Sequence, residues 1–177
     1  MCDTRRAIMV ADEHSSGEGP SGEPADSALE RFLSSSAAAA KAAGSLREGA
    51  EVAVSFTELE GDWRFYSDAG KPTLQRGMAK DPDFALRLAP GVLKSICALT
   101  DADIGELGIA FLERVDSHEP DFRIHVQLHS GLIKLTQRGW LTVLARGGPK
   151  VAAWLARRGL RGSGAVVAAI ARLKRPP

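Results

Sequence analysis

The sequence predicts an α+β fold. Several segments alternate apolar and polar residues with period two, the signature of half-buried strands. Other segments repeat apolar residues with helical period. The two kinds are grouped rather than strictly alternating, so the expectation is a sheet with segregated helices, not a chain of strand–helix–strand units. The 177 residues are 44% hydrophobic and 25% charged, ordinary values for one globular domain with tails.

Residues 1–26 contain little to bury after the short apolar stretch 7–11, and residues 12–26 are mostly Asp, Glu, Ser, Gly and Pro. Such a segment cannot offset its ordering entropy, so a disordered acidic tail is expected. A helix should begin at Asp26 or Ser27, either a good cap, run through Leu29, Phe32, Leu33 and the alanines 37–40, and end at Gly44.

A strand block follows. Val52, Val54 and Phe56 alternate within 51–57, and Trp63 and Phe65 within 62–66, with turn chemistry at Gly61 and Asp62. That reads as a hairpin. Residues 71–77 form a candidate third strand. After a turn at 81–83, Phe84, Leu86 and Leu88 mark a fourth. Pro90 opens a helix carrying Val92, Leu93, Ile96 and Leu99. A further helix should start near Thr100, with Thr100 and Asp103 as its capping box and Ile104, Leu107, Phe111 and Val115 as its apolar face. Period two returns over 121–129: Phe122, Ile124, Val126 and Leu128 face one way, Arg123, His125, Gln127 and His129 the other. The last third reads as helices over 132–145, 150–158 and 164–174.

Several classes of protein are disfavoured. The longest nearly apolar run, 165–171, has seven residues, whereas a spanning helix needs about 20. The start of the chain lacks an apolar stretch suited to export. Cys2 and Cys97 do not make a disulfide framework, and Cys97 sits in an apolar series that points to burial. A cytoplasmic location follows as the expectation.

Chemistry is equally sparse. His125 and His129 lie about 13 Å apart if 121–129 is a strand, too far for one metal even with His118 nearby. Asp101, Asp103 and Glu106 fall in the first turns of a helix, where acids favour the dipole. The glycine-rich stretch 159–164 lacks the Gly-Lys-Ser/Thr ending of a phosphate loop, and no Gly-x-Ser-x-Gly elbow occurs. No catalytic residues, metal site or cofactor are expected, and the chain does not read as an enzyme.

The distributed signal is charge. The net charge of +1 conceals −6 over residues 1–60, −3 over 61–130 and +10 over 131–177, where no acid occurs. Solvated helix faces account for such bases. Attraction to an anionic membrane, at about 1 kcal/mol per base near the surface, is the functional reading, with Trp140 and Trp154 suited to an interface. Nucleic acid is disfavoured, because the bases interleave with a wide apolar face rather than with stacking aromatics.

The order of elements, and above all residues 81–90, with an Asp leading into the alternation Phe84, Leu86, Leu88 and then Pro90, resembles the sterol carrier protein 2 family. The strands at 52–56, 63–66 and 71–77 are similar to that family's opening meander. The resemblance covers roughly 28–146. The chain departs from the family's pattern in lacking a glycine-lysine-rich stretch before the last strand, where 113–121 stands instead, and in adding helices after 150. The division implied is a tail over 1–26, a sterol-carrier-like domain over 27–146 and a basic helical extension over 147–177. The resemblance implies a five-stranded sheet covered by helices on one face, enclosing an apolar tunnel. It also implies non-catalytic binding and transfer of a hydrophobic ligand: a sterol, fatty acyl chain, acyl-CoA or quinone-like molecule. The expected lining is Phe84, Leu86, Leu88, Ile104, Leu107, Phe111, Phe122, Ile124 and Val126. Lys150, Arg157, Arg158, Arg161, Arg172 and Lys174 are the expected membrane-docking bases. The alternative is an interaction or scaffold protein whose basic third binds an acidic partner, the chain's own acidic tail or nucleic acid.

Overall fold

The computed structural model describes residues 24–160. The tail before residue 24, the helix expected at 164–174, and Arg161, Arg172 and Lys174 lie outside them.

The first helix is two. Helix α1 spans Ala25–Ser35 and α2 spans Ala37–Ala43. Ser36 breaks the single expected helix because it caps the second. Its backbone is extended (φ −78°, ψ 117°), and its buried hydroxyl accepts the Ala39 N–H at 3.2 Å.

Strands β1 (Glu51–Phe56), β2 (Trp63–Asp68), β3 (Lys71–Arg76), β4 (Phe84–Leu88) and β5 (Ile124–Leu128) form one sheet in the order β3-β2-β1-β4-β5. β1 and β4 run parallel; the other neighbours are antiparallel. Pro72 is tolerated because β3 is an edge strand. Register aligns Leu74, Phe65, Val52, Phe84 and Leu128 in one row, and Trp63, Val54, Leu86 and Val126 in the next. These side chains share the face that carries the core, with Val52, Val54 and Phe56 at 3–4% exposure and Val92 and Leu93 packed among them. Phe56 and Trp63 meet edge to face at 4.8 Å. The other face presents Arg64, Gln75, Arg87, His125 and Gln127; Arg64 hydrogen-bonds Gln75 and pairs with Glu51. This is the α+β architecture expected, a mixed five-stranded sheet with helices gathered on one face.

Helix α3 spans Pro90–Cys97 and α4 spans Ile104–Val115. The capping box of α4 differs from the Thr100–Asp103 expectation. Asp103 is the cap itself: it accepts the Glu106 N–H at 2.9 Å, and Glu106 accepts the Asp103 N–H at 3.1 Å. The Asp-x-x-Glu spacing satisfies both backbone donors. Phe122 also moves from its expected strand. It closes a 3-10 turn at Pro120–Phe122, because Pro120 fixes a turn there, and pairing begins at Ile124.

The helix expected over 132–145 is also split, into α5 (Leu132–Gln137) and α6 (Trp140–Arg146). Gly139 joins them with φ +87°, and a Cβ there would run into the Ser45 carbonyl oxygen. Only glycine both adopts that angle freely and fits that gap. Helix α7 (Gly148–Arg157) packs on α4 and α6. Gly105 and Gly108 let α7 approach: a Cβ at 105 would lie 2.8 Å from the Gly147 carbonyl, and one at 108 would lie 3.3 Å from Val151 Cγ2.

Candidate functional site

The fold places an apolar surface where β4 and β5 meet α4. Phe84 and Leu86 on β4 and Val126 on β5 point to the core side, yet all three are only half-buried. Their neighbours on β1 are almost fully buried. Helix α4 packs across β5. Ile104, Leu107, Ile109, Phe111, Leu112 and Val115 on it are all half-buried, and its only fully buried residue is Gly105. In α6, Trp140, Leu141, Val143 and Leu144 are half-buried too.

The expected lining residues therefore divide. Phe84, Leu86, Val126 and Phe111 are half-buried and pack against the core cluster, and Ile104 and Leu107 are half-buried on α4. Leu88 and Ile124 pair across β4 and β5 and are sealed in the core at 7% and 1% exposure. Phe122 stands apart in its turn, under the Arg114 guanidinium at 5.1 Å, with a ring carbon 3.1 Å from where a Gly91 Cβ would sit.

One edge of the surface is held by a polar staple that the sequence reading did not assemble. The Asp83 side chain, fully buried just before β4, accepts Ser130 Oγ–H at 2.5 Å, Arg138 Nη1–H at 2.9 Å and Trp140 Nε1–H at 2.7 Å. Its backbone carbonyl accepts the N–H groups of His129 and Ser130. Arg138 and Lys134 also bind Asp81 at 2.7 Å, and these hydrogen bonds, Lys134's first, hold the Asp81 carboxyl below the usual carboxylate range. The Trp140 ring then meets Phe84 edge to face at 5.1 Å. Both Asp83 oxygens are engaged, so this side chain holds Trp140 against Phe84. A sequence signal existed: Asp81 and Asp83 flank a proline, and Lys134 and Arg138 are four apart on one helix face.

The basic third is partly neutralised by the fold. Lys150 reaches Asp103 at 2.5 Å and Glu106 at 2.9 Å, holding both carboxyls low, and Arg158 binds Asp116 at 3.0 Å. With Lys134 and Arg138 on Asp81 and Asp83, four of these bases pair with acids of the middle third. Of the expected docking residues, Lys150 and Arg158 are thus ion-paired, and Arg157 is exposed on α7.

A separate pocket of about 280 Å³ lies between α1 and the end of α3, lined by Ala28, Arg31, Phe32, Ser35, Cys97 and Thr100. It contains none of the expected lining residues and sits at the small end for ligand sites. Cys97 is half-buried on its wall rather than sealed in the core, because the series at 92–96 turns only Val92 and Leu93 fully inward. Burial pushes its thiol pKa up, which disfavours the reactive thiolate. Among the described residues, no group of His, Cys, Asp and Glu could hold a metal ion, and no helix is long and apolar enough to cross a membrane.

No family model matches the chain, and no curated protein sequence matches it. Among solved structures the chain is similar to a "UbiJ-SCP2 Ubiquinone synthesis protein", at 21% identity and a TM-score of 0.37, over 70% of this chain and 89% of that one.

Proposed function

We propose that the chain is a non-catalytic binding protein for a hydrophobic molecule: a sterol, fatty acyl chain, acyl-CoA or quinone-like compound. The ligand would lie on the apolar surface between β4, β5 and α4. One observation carries the reading: Phe84 and Leu86 on the inner strand β4, Val126 on the edge strand β5 and every large apolar side chain of α4 are only half-buried. A filled core would bury central-strand residues most deeply. The sequence resemblance to the sterol carrier protein 2 family supports the same assignment. Burying this surface under a ligand would contribute about 25 cal/mol per Å² of apolar area.

The test is titration with a fluorescent long-chain fatty acid methyl ester, comparing wild type with Val126→Trp, which adds bulk to the surface. Saturable binding by wild type, weakened at least about tenfold in the variant, is the expected outcome. Equal binding by both would place the ligand elsewhere.

Docking on anionic membrane is the finer part of the proposal. With Lys150 and Arg158 already paired, it would fall to Arg157, Arg161, Arg172 and Lys174. Co-sedimentation that is equal on neutral and anionic vesicles and insensitive to salt would remove that part.

A further inference from the structure

We propose that the indole N–H of Trp154 is the polar anchor for the ligand, accepted by a neutral carbonyl oxygen on an otherwise apolar molecule. This rests on the lipid-binding reading above and assigns the chemistry of the ligand's polar end.

Trp154 is 5% exposed, and its Nε1 is buried without a hydrogen-bond partner. It is the one buried side-chain nitrogen or oxygen in that condition among the described residues. The contrast with Trp140, whose Nε1–H donates to Asp83, is direct. A buried donor left unpaired is costly and rare in native proteins, so it calls for an acceptor.

The position of Trp154 follows from three ties. A Cβ at Gly105 would meet Gly147, Gly108 faces Val151, and Arg158 binds Asp116. These run in the same order along both helices, so α7 lies parallel to α4. The glycines close the seam near the start of α4. Trp154 falls between the Val151 and Arg158 ties, level with the stretch of α4 that carries half-buried Ile109, Phe111 and Leu112. The unpaired donor thus stands beside the same helix that supplies the apolar surface.

The local charge selects the acceptor. The Arg158 guanidinium lies over the indole, 3.7 Å from the ring centroid, and its charge is already met by Asp116. A carboxylate or phosphate brought to Trp154 would find the Arg158 guanidinium already engaged and would lose its hydration. A ketone, ester or quinone carbonyl needs only the one donor that the indole offers.

The experiment uses the full ¹⁵N-labelled chain. Its three tryptophans, Trp63, Trp140 and Trp154, give three indole N–H resonances, and Trp154→Phe identifies the third. Titration with 2-undecanone should move the Trp154 resonance downfield; undecane should not. Trp154→Phe, checked for folding by circular dichroism, should bind 2-undecanone about tenfold more weakly and undecane within twofold of wild type. An unmoved Trp154 resonance at saturating ketone, or an equal loss for both compounds, overturns the anchor and leaves the lipid reading standing. Failure of the wild type to bind either compound overturns both.

Discussion

Replacing Asp83 with alanine removes the acceptor of three side-chain donors at once. Arg138 would keep a largely buried charge with only Asp81 to meet it, and the Trp140 indole would lose its partner. Breaking such a buried pair by removing one member costs about 3–5 kcal/mol, so Asp83→Ala should lower the urea midpoint sharply. It should also loosen Phe84, which packs against Trp140. Asp81 is different, since its side chain is 63% exposed and its bonds to Lys134 and Arg138 are screened. Those bonds still depress its pKa. A carboxyl with a lowered folded-state pKa contributes stability that is present above its unfolded value, near pH 4, and lost as pH falls through the folded value. Wild type should therefore lose more stability between pH 5 and pH 3 than Asp81→Asn does, as read from urea unfolding at the two pH values. Identical acid sensitivity would mean that the Asp81 ties contribute nothing.

Most strands were legible in the sequence because each has one buried face, which imposes period two. The fourth strand, Phe84–Leu88, and the helix start at Pro90 stand where their patterns put them. The breaks were not legible. Ser36 and Gly139 each sit inside a segment whose apolar residues keep helical spacing, and their roles depend on what packs against them. Gly139 is the sharper case. Its left-handed backbone and the Ser45 carbonyl beside it are tertiary facts that no window of sequence contains. Gly139→Ala should cost at least about 2 kcal/mol from backbone strain and the clash together. A measured loss under about 0.5 kcal/mol would show that α5 and α6 can rejoin without that turn. The apolar stripe of α4 was legible residue by residue, but not its half-buried state, because periodicity does not separate core from a ligand-facing wall. Leu88 and Ile124 fell on the core side of that division, and Phe122 left the strand altogether.

Along the chain the charge runs from −9 over residues 1–130 to +10 over the rest. In the folded molecule much of that asymmetry closes on itself, through Lys134, Arg138, Lys150 and Arg158 meeting Asp81, Asp83, Asp103, Glu106 and Asp116. The basic third therefore acts in part as an internal counter-charge. It clamps α5 to the start of β4, and α7 to α4. Among the described residues, what is left less than fully satisfied is the half-buried apolar side chains of Phe84, Leu86, Val126 and α4, together with one unpaired indole N–H. Both point to an occupant that is mostly hydrocarbon. The measurement that addresses this directly is native mass spectrometry of the protein purified from its own cells, followed by denaturation and identification of what is released. The predicted result is an added mass in the native spectrum that leaves on unfolding as a hydrophobic molecule. A native mass equal to that of the bare chain, in a protein that also fails to take up the fluorescent fatty acid methyl ester, would contradict the account.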